Sequence, residues 1–105
     1  MRLRFLNVFV LACVAFPSLA FSQTLSGAML GNTCAGCHGT LGAPENPQIP
    51  PLAGVLPAQF MATMQAYRDG SQRATIMNRV ARAYSDEEIS AMAAYFASLP
   101  PQVNE

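Results

Sequence analysis

The sequence predicts an all-α domain of about four short helices. Three observations carry that expectation. An acidic, serine-capped start at residues 85–88 opens an apolar stripe at helical spacing, and residues 60–67 show the same spacing. No stretch beyond residue 22 alternates apolar and polar side chains as a half-buried strand does.

The first segment does not belong to that domain. Residues 1–7 hold Arg2 and Arg4 and no acid, residues 8–15 are an unbroken apolar run, and Pro17 and the small exit Ala20-Phe21-Ser22 follow. A basic start, an apolar middle and a small-residue exit describe a secretory signal peptide over 1–22. The remaining domain spans 23–105, with its new start at Gln23 and cleavage after Ala20 as the second choice. Bilayer crossing takes ~20 apolar residues, so the run is too short to persist as a membrane helix, and no stable membrane insertion is expected. Val10-Leu11-Ala12-Cys13 faintly resembles a lipoprotein signal. Lipidation of Cys13 would leave the apolar residues 14–21 without a polar tether, so Cys13 reads as a discarded hydrophobe.

The elements follow in order. Residues 26–34 read as a short helix, small at Ser26, Gly27, Ala28 and Gly31 and apolar at Met29 and Leu30. Residues 39–57 are a loop, because Gly39, Gly42 and Gly54 alternate with Pro44, Pro47, Pro50 and Pro51. Helix resumes at Pro57, suited to a first turn, and runs to Asp69 before Gly70 stops it. Phe60, Met61, Met64 and Tyr67 share one face. A further short helical piece spans 75–83. The final helix starts at Ser85, with Glu88 completing a capping box and Tyr84 and Ile89 a hydrophobic staple. Asp86, Glu87 and Glu88 suit the positive end of the helix dipole. Ile89, Met92, Ala93 and Phe96 form its buried stripe, and Leu99-Pro100-Pro101 ends it.

Without the leader, Arg68, Arg73, Arg79 and Arg82 face Glu45, Asp69, Asp86, Glu87, Glu88 and Glu105, four charges against six and a formal −2. The chain has no lysine. Phosphate binding draws on a dense basic patch, so a nucleic-acid partner is excluded. A domain of about eighty residues buries a small core and needs a staple. Only Cys34 and Cys37 remain after processing, too close together to tie distant parts of the chain.

Those cysteines lie in Cys34-Ala35-Gly36-Cys37-His38, the C-x-x-C-H spacing of haem attachment. Two thiols three residues apart can reach the two vinyl groups of one porphyrin, and the next residue then lies under the iron. The expectation is one haem c, covalently bound through Cys34 and Cys37, with His38 as an axial iron ligand. Burying that large apolar group supplies what so small a core lacks. The competing chemistries fit less well. Structural zinc takes four ligands, and only Cys34, Cys37 and His38 are available. A thioredoxin-like pair belongs beside a βαβ unit, and a disulfide across two residues closes almost no loop.

The sixth ligand is chosen among methionines. Met61, Met64 and Met92 fall on apolar helix faces where core filling is the default. Met29 shares the histidine-side helix. Met77 stands between two better-defined helices, so position favours it, with Met64 and Met61 as alternatives. Methionine opposite histidine raises the reduction potential and closes the iron to small ligands. The function expected is outer-sphere electron transfer, and the alternative is an open-site haem protein that binds small ligands. Arg68 and Arg73 flank the Asp69-Gly70 turn, where a guanidinium suits a haem propionate. Arg73 is the candidate contact, and the other reading of both is solvated charge at a helix end.

The whole span 26–99 resembles the class I bacterial cytochromes c. The resemblance rests on the Cys34 to His38 motif with Gly39, on Pro50-Pro51-Leu52-Ala53-Gly54 and on Phe60 through Tyr67-Arg68-Asp69-Gly70. Met77-Asn78, the Tyr84 to Ile89 helix start and Ala94-Tyr95-Phe96 complete it. It implies a small fold of about four helices wrapped around one haem, in which the first helix crosses the last. Leu30, Ser26 and Gly27 would then meet Tyr95 or Phe96. It also implies that the Pro50 carbonyl holds the axial His38, and that Met77 is the second ligand. Within the class the chain is especially similar to the cytochrome subunit of flavocytochrome c sulfide dehydrogenase, in a single-haem version. That implies a periplasmic electron carrier, not an enzyme by itself, whose redox partner is a sulfide-oxidising flavoprotein. A free-standing diffusible carrier is the other form in this group.

Overall fold

A computed structural model of the chain describes residues 25–102. The expected leader over 1–22, with Cys13, lies outside the described residues, as does Glu105. Every regular element among the described residues is helical. These are α1 (Gly27–Asn32), α2 (Ala35–His38), α3 (Pro57–Asp69), α4 (Met77–Val80) and α5 (Asp86–Ala97), with 3₁₀ turns at Thr40–Gly42 and Ala81–Ala83. No helix among the described residues is long and apolar enough to cross a membrane.

The two long helices lie where their signals put them. Pro57 opens α3, and Gly70 closes it in the left-handed conformation (φ 83°). Ser85 caps α5 by accepting from the Glu88 N–H at 3.2 Å, and the Glu88 carboxylate accepts from the Ser85 N–H at 2.8 Å. The short pieces depart from expectation. The first helix stops at Asn32 rather than Cys34, because the Thr33 and Cys34 amides tighten to i−3 partners, Leu30 O and Gly31 O. The chain then starts a separate turn, α2, from which the attachment motif is built. Likewise α4 begins at Met77 and not at Thr75: Ile76 is its non-helical N-cap (φ −132°), and Ile76 O accepts the first helical amide bonds from Arg79 N and Val80 N.

The core is one cluster: Leu30, Phe60, Met64, Ala81, Ile89, Met92, Ala93 and Phe96. The predicted α5 stripe is buried in full, and α3 contributes Phe60 and Met64. Met61 and Tyr67 are only partly buried against the cluster. Phe60 and Phe96 pack with tilted rings, centroids 5.6 Å apart. Burying these side chains is the main favourable term available to the helices.

Helix α1 crosses α5 at its glycines. A Cβ on Gly27 would stand 2.2 Å from the Ala91 carbonyl oxygen. A Cβ on Gly31 would stand 2.5 Å from the Tyr95 ring and 3.3 Å from Phe96. Two glycines four apart on one face let the backbones approach this closely. The crossing partners are therefore Gly27, Leu30 and Gly31. Ser26 instead caps α1, accepting from the Met29 N–H at 3.2 Å. Gly27→Ala should drive the helices apart and cost about 1–3 kcal/mol of stability, as overpacking does. Denaturant unfolding followed by far-ultraviolet dichroism measures it.

Candidate haem site

The motif forms one helical turn. The His38 amide donates to Cys34 O at 2.9 Å, and Gly39 N donates to Ala35 O at 3.0 Å. Positions three and four apart on a helix share a face, so Cys34, Cys37 and His38 project to the same side. Neither thiol is in a disulfide; Cys37 is exposed and Cys34 is half-buried against the core cluster. Burial pushes the Cys34 thiol above its ordinary value, the Thr33 side chain opposes this, and the neighbouring Cys37 adds to the rise.

Among the described residues, His38 is the one buried polar side chain. Its Nδ1 lies 2.8 Å from the Pro50 carbonyl oxygen. A carbonyl only accepts, so Nδ1 donates, and in the neutral ring this leaves the lone pair on Nε2. That bond makes the ring a ready metal ligand with a set orientation. The loop that brings Pro50 round is itself tied down. Leu52 N and Ala53 N both donate to Gly42 O, at 2.9 and 3.2 Å, and Gly54 N donates to Phe96 O at 2.8 Å. The loop therefore docks on the C-terminal end of α5.

Met77 opens α4 and packs, partly buried, against the same cluster as Cys34. Met92 is fully buried and Met64 nearly so, both as cluster members, while Met29 is exposed on α1. The two arginines of the α3–α4 turn separate. Arg68 Nη1 donates to the Tyr84 carbonyl at 3.3 Å, and Nη2 pairs with Asp86, tying the end of α3 to the start of α5. Arg68 is thus occupied structurally. Arg73 is exposed and makes no hydrogen bond or ion pair among the described residues.

This donor set suits a haem. Two free thiols and an imidazole with a free Nε2 share one face of a turn. Large apolar side chains stay exposed on each flanking segment: Leu41 after His38, Leu56 before α3 and Ile76 beside Met77. An apolar macrocycle needs such surfaces. Zinc has no equivalent place, since among the described residues no three His, Cys, Asp or Glu side chains are set to hold a metal ion.

The comparison with known proteins decides the family. The cytochrome c family model matches residues 26–100, nearly the whole described chain. This chain belongs to the cytochrome c family. The cytochrome subunit of sulfide dehydrogenase from Chlorobaculum tepidum is 38% identical over 73 residues, 70% of this chain and 66% of that protein. Cytochrome c-554(548) from Halomonas halodenitrificans is 39% identical over 69 residues, 63% of this chain and 83% of its own length. A thiosulfate dehydrogenase electron acceptor from Stutzerimonas stutzeri is 38% identical over 69 residues. There the matched stretch is 63% of this chain and 32% of the relative. This cytochrome c therefore carries covalently bound c-type haem, and the sequence has a single Cys-x-x-Cys-His motif, the place for one haem.

Two site features were not apparent from sequence. Asn78 looks like an ordinary polar residue, yet its carboxamide makes three backbone hydrogen bonds beside Met77. The Thr33 hydroxyl donates to Leu30 O at 2.6 Å, so the Tyr84 hydroxyl donates to Thr33 at 2.7 Å and links the motif's N-terminal side to α5. The asparagine directly after a candidate ligand was the available signal; the threonine–tyrosine pair, 51 residues apart, left none.

Two glycines of the motif region should respond in opposite ways. Gly36 has open space around a built Cβ, whereas Gly39 has φ +77° and a built Cβ 2.1 Å from Ala43 O. Gly36→Ala should leave holoprotein yield and melting temperature unchanged. Gly39→Ala should cost about 2–4 kcal/mol, from left-handed strain plus the clash, and displace the Pro50 loop. Absorbance of purified holoprotein and thermal melts compare the two.

Proposed function

We propose that this cytochrome is a periplasmic carrier whose haem is attached through Cys34 and Cys37, with His38 and Met77 as axial iron ligands. When bound, the haem supplies an iron that cycles between ferric and ferrous states. The observation that carries the ligand reading is the His38 Nδ1 to Pro50 hydrogen bond on the turn that presents both thiols. Pro50 holds the ring in place through its carbonyl and raises the basicity of Nε2. Met77, half-buried against the core, closes the opposite side and excludes small ligands. Arg73, exposed and unengaged among the described residues, is the arginine available to a propionate; Arg68 is held by Tyr84 and Asp86.

The partner reading is a sulfide-oxidising flavoprotein to which this chain serves as electron-accepting subunit. It is supported by the 38% identity to the Chlorobaculum sulfide dehydrogenase subunit and by the family pattern over residues 67–89. Its periplasmic setting follows from the signal-peptide pattern of residues 1–22. A second reading, a free diffusible carrier, is favoured by the Halomonas cytochrome, whose length this chain matches most fully of the three.

Three outcomes are expected. A pyridine haemochrome assay of the purified protein gives haem c, and Cys34→Ala together with Cys37→Ala abolishes covalent attachment. The ferric protein has the weak near-infrared charge-transfer band of methionine ligation, and Met77→Ala loses it and binds carbon monoxide when reduced. Size exclusion of native periplasmic extract gives a stoichiometric complex with a flavin-containing protein; a lone small haem protein sinks the partner reading and leaves the free carrier.

A further inference from the structure

We infer that Asn78 is a positioning residue for the Met77 thioether, setting where it stands and how readily it leaves the iron, an inference that rests on the proposed ligation by Met77. The segment from Gly70 to Ile76 has no regular structure of its own. Helix α4, which Met77 opens, is four residues long and has no side-chain cap, because its N-cap is Ile76. Ile76 is 57% exposed, so it does not anchor the segment by burial either. The start of the segment is tied to α3 by Gln72 N, which donates to Ala66 O at 3.1 Å; the Asn78 carboxamide carries that hold on to α4.

Its oxygen accepts from Ala74 N at 2.8 Å. Its amide donates to Tyr67 O at 2.8 Å and to Gln72 O at 2.7 Å. Tyr67 belongs to the last turn of α3, whose carbonyls lack helical partners. One side chain therefore joins the end of α3, the intervening turn and the start of α4. Both N–H donors are used, so only one orientation works: flipping the amide would set its oxygen against two carbonyl oxygens. Aspartate has the same size but no proton to donate, and would meet both carbonyls with negative charge. Because Met77 is the adjacent residue and is wedged against the core, releasing this clamp moves its backbone.

The composition makes the consequence readable. The chain has no lysine and one histidine, which is assigned to the opposite side. When Met77 leaves, no lysine or second imidazole of the chain competes for its place, so an added ligand such as cyanide reports the opening against only the remaining methionines and the terminal amine.

The test uses holoprotein of wild type, Asn78→Ala, Asn78→Asp, Met77→Ala and, as a stability control remote from the site, Ser85→Ala. Read out are the ferric near-infrared band, the midpoint potential, cyanide affinity of the ferric form and the melting temperature. Both Asn78 variants should weaken the band, lower the potential and bind cyanide roughly tenfold more tightly or better, since several net-favourable hydrogen bonds are removed together. Ser85→Ala should lower the melting temperature and leave the other three unchanged. If the Asn78 variants keep the wild-type band, potential and cyanide affinity, whatever their melting temperature, Asn78 is a structural clamp alone and the inference is overturned. A wild type without the band, matched by Met77→Ala, overturns the ligand assignment itself and this inference with it. Where neither Asn78 variant accumulates, Asn78→Ser, which keeps one donor, is read by the same criteria.

Discussion

The close crossing of α1 over α5 is the constraint on which the rest of the molecule depends. Gly27 and Gly31 bring the α1 backbone against Ala91, Tyr95 and Phe96 at distances no side chain would permit. The end of α1 is thereby fixed, and with only Thr33 between it and Cys34, so is the start of the attachment turn. The contact also places Phe96 at a junction. Its ring meets Gly31 and Phe60, and its carbonyl accepts the Gly54 amide that docks the Pro50 loop. Both halves of the histidine side, the turn that carries His38 and the loop that reaches its Nδ1, are therefore built on one end of α5.

The methionine side is built differently. Its scaffold is α3, reached by side-chain hydrogen bonds as well as by packing: Asn78 to the Tyr67 carbonyl, and Arg68 to Tyr84 and Asp86. Apolar burial on this side is thinner, with Met77 and Tyr67 only partly covered and Ile76 exposed. The His38 turn is thus held by close backbone packing, and the Met77 segment in part by polar clamps.

Family membership and haem type constrain the chemistry tightly, and the partner less so. The same short domain recurs in relatives named as a sulfide dehydrogenase subunit, a thiosulfate dehydrogenase electron acceptor and a plain cytochrome. What each shares with this chain is a stretch of 69 to 73 residues at 38–39% identity, and one fold can serve many functions.

Much of this protein was legible in its sequence because its signals are local. The C-x-x-C-H pentapeptide, the Ser85–Glu88 capping box, the Pro57 start and the Gly70 stop each act within a few residues. Local geometry suffices to read them. The all-helical class and the long helices follow from the same short-range rules. Contacts set by packing were beyond that reach. Nothing local distinguished Gly31, the closer partner of the Tyr95 ring, from any other small helix residue. Nor did it separate Arg68, drawn 18 residues along to Asp86, from Arg73. The breaking of the first helix at Thr33, so that the motif could fold as its own turn, depended on hydrogen bonds that compete only once the chain is folded. The sequence by itself determined the haem-attachment motif and the helical class; the tertiary structure decided what holds the motif and its neighbours, because a clamp such as Asn78 exists only when α3 and α4 are brought side by side.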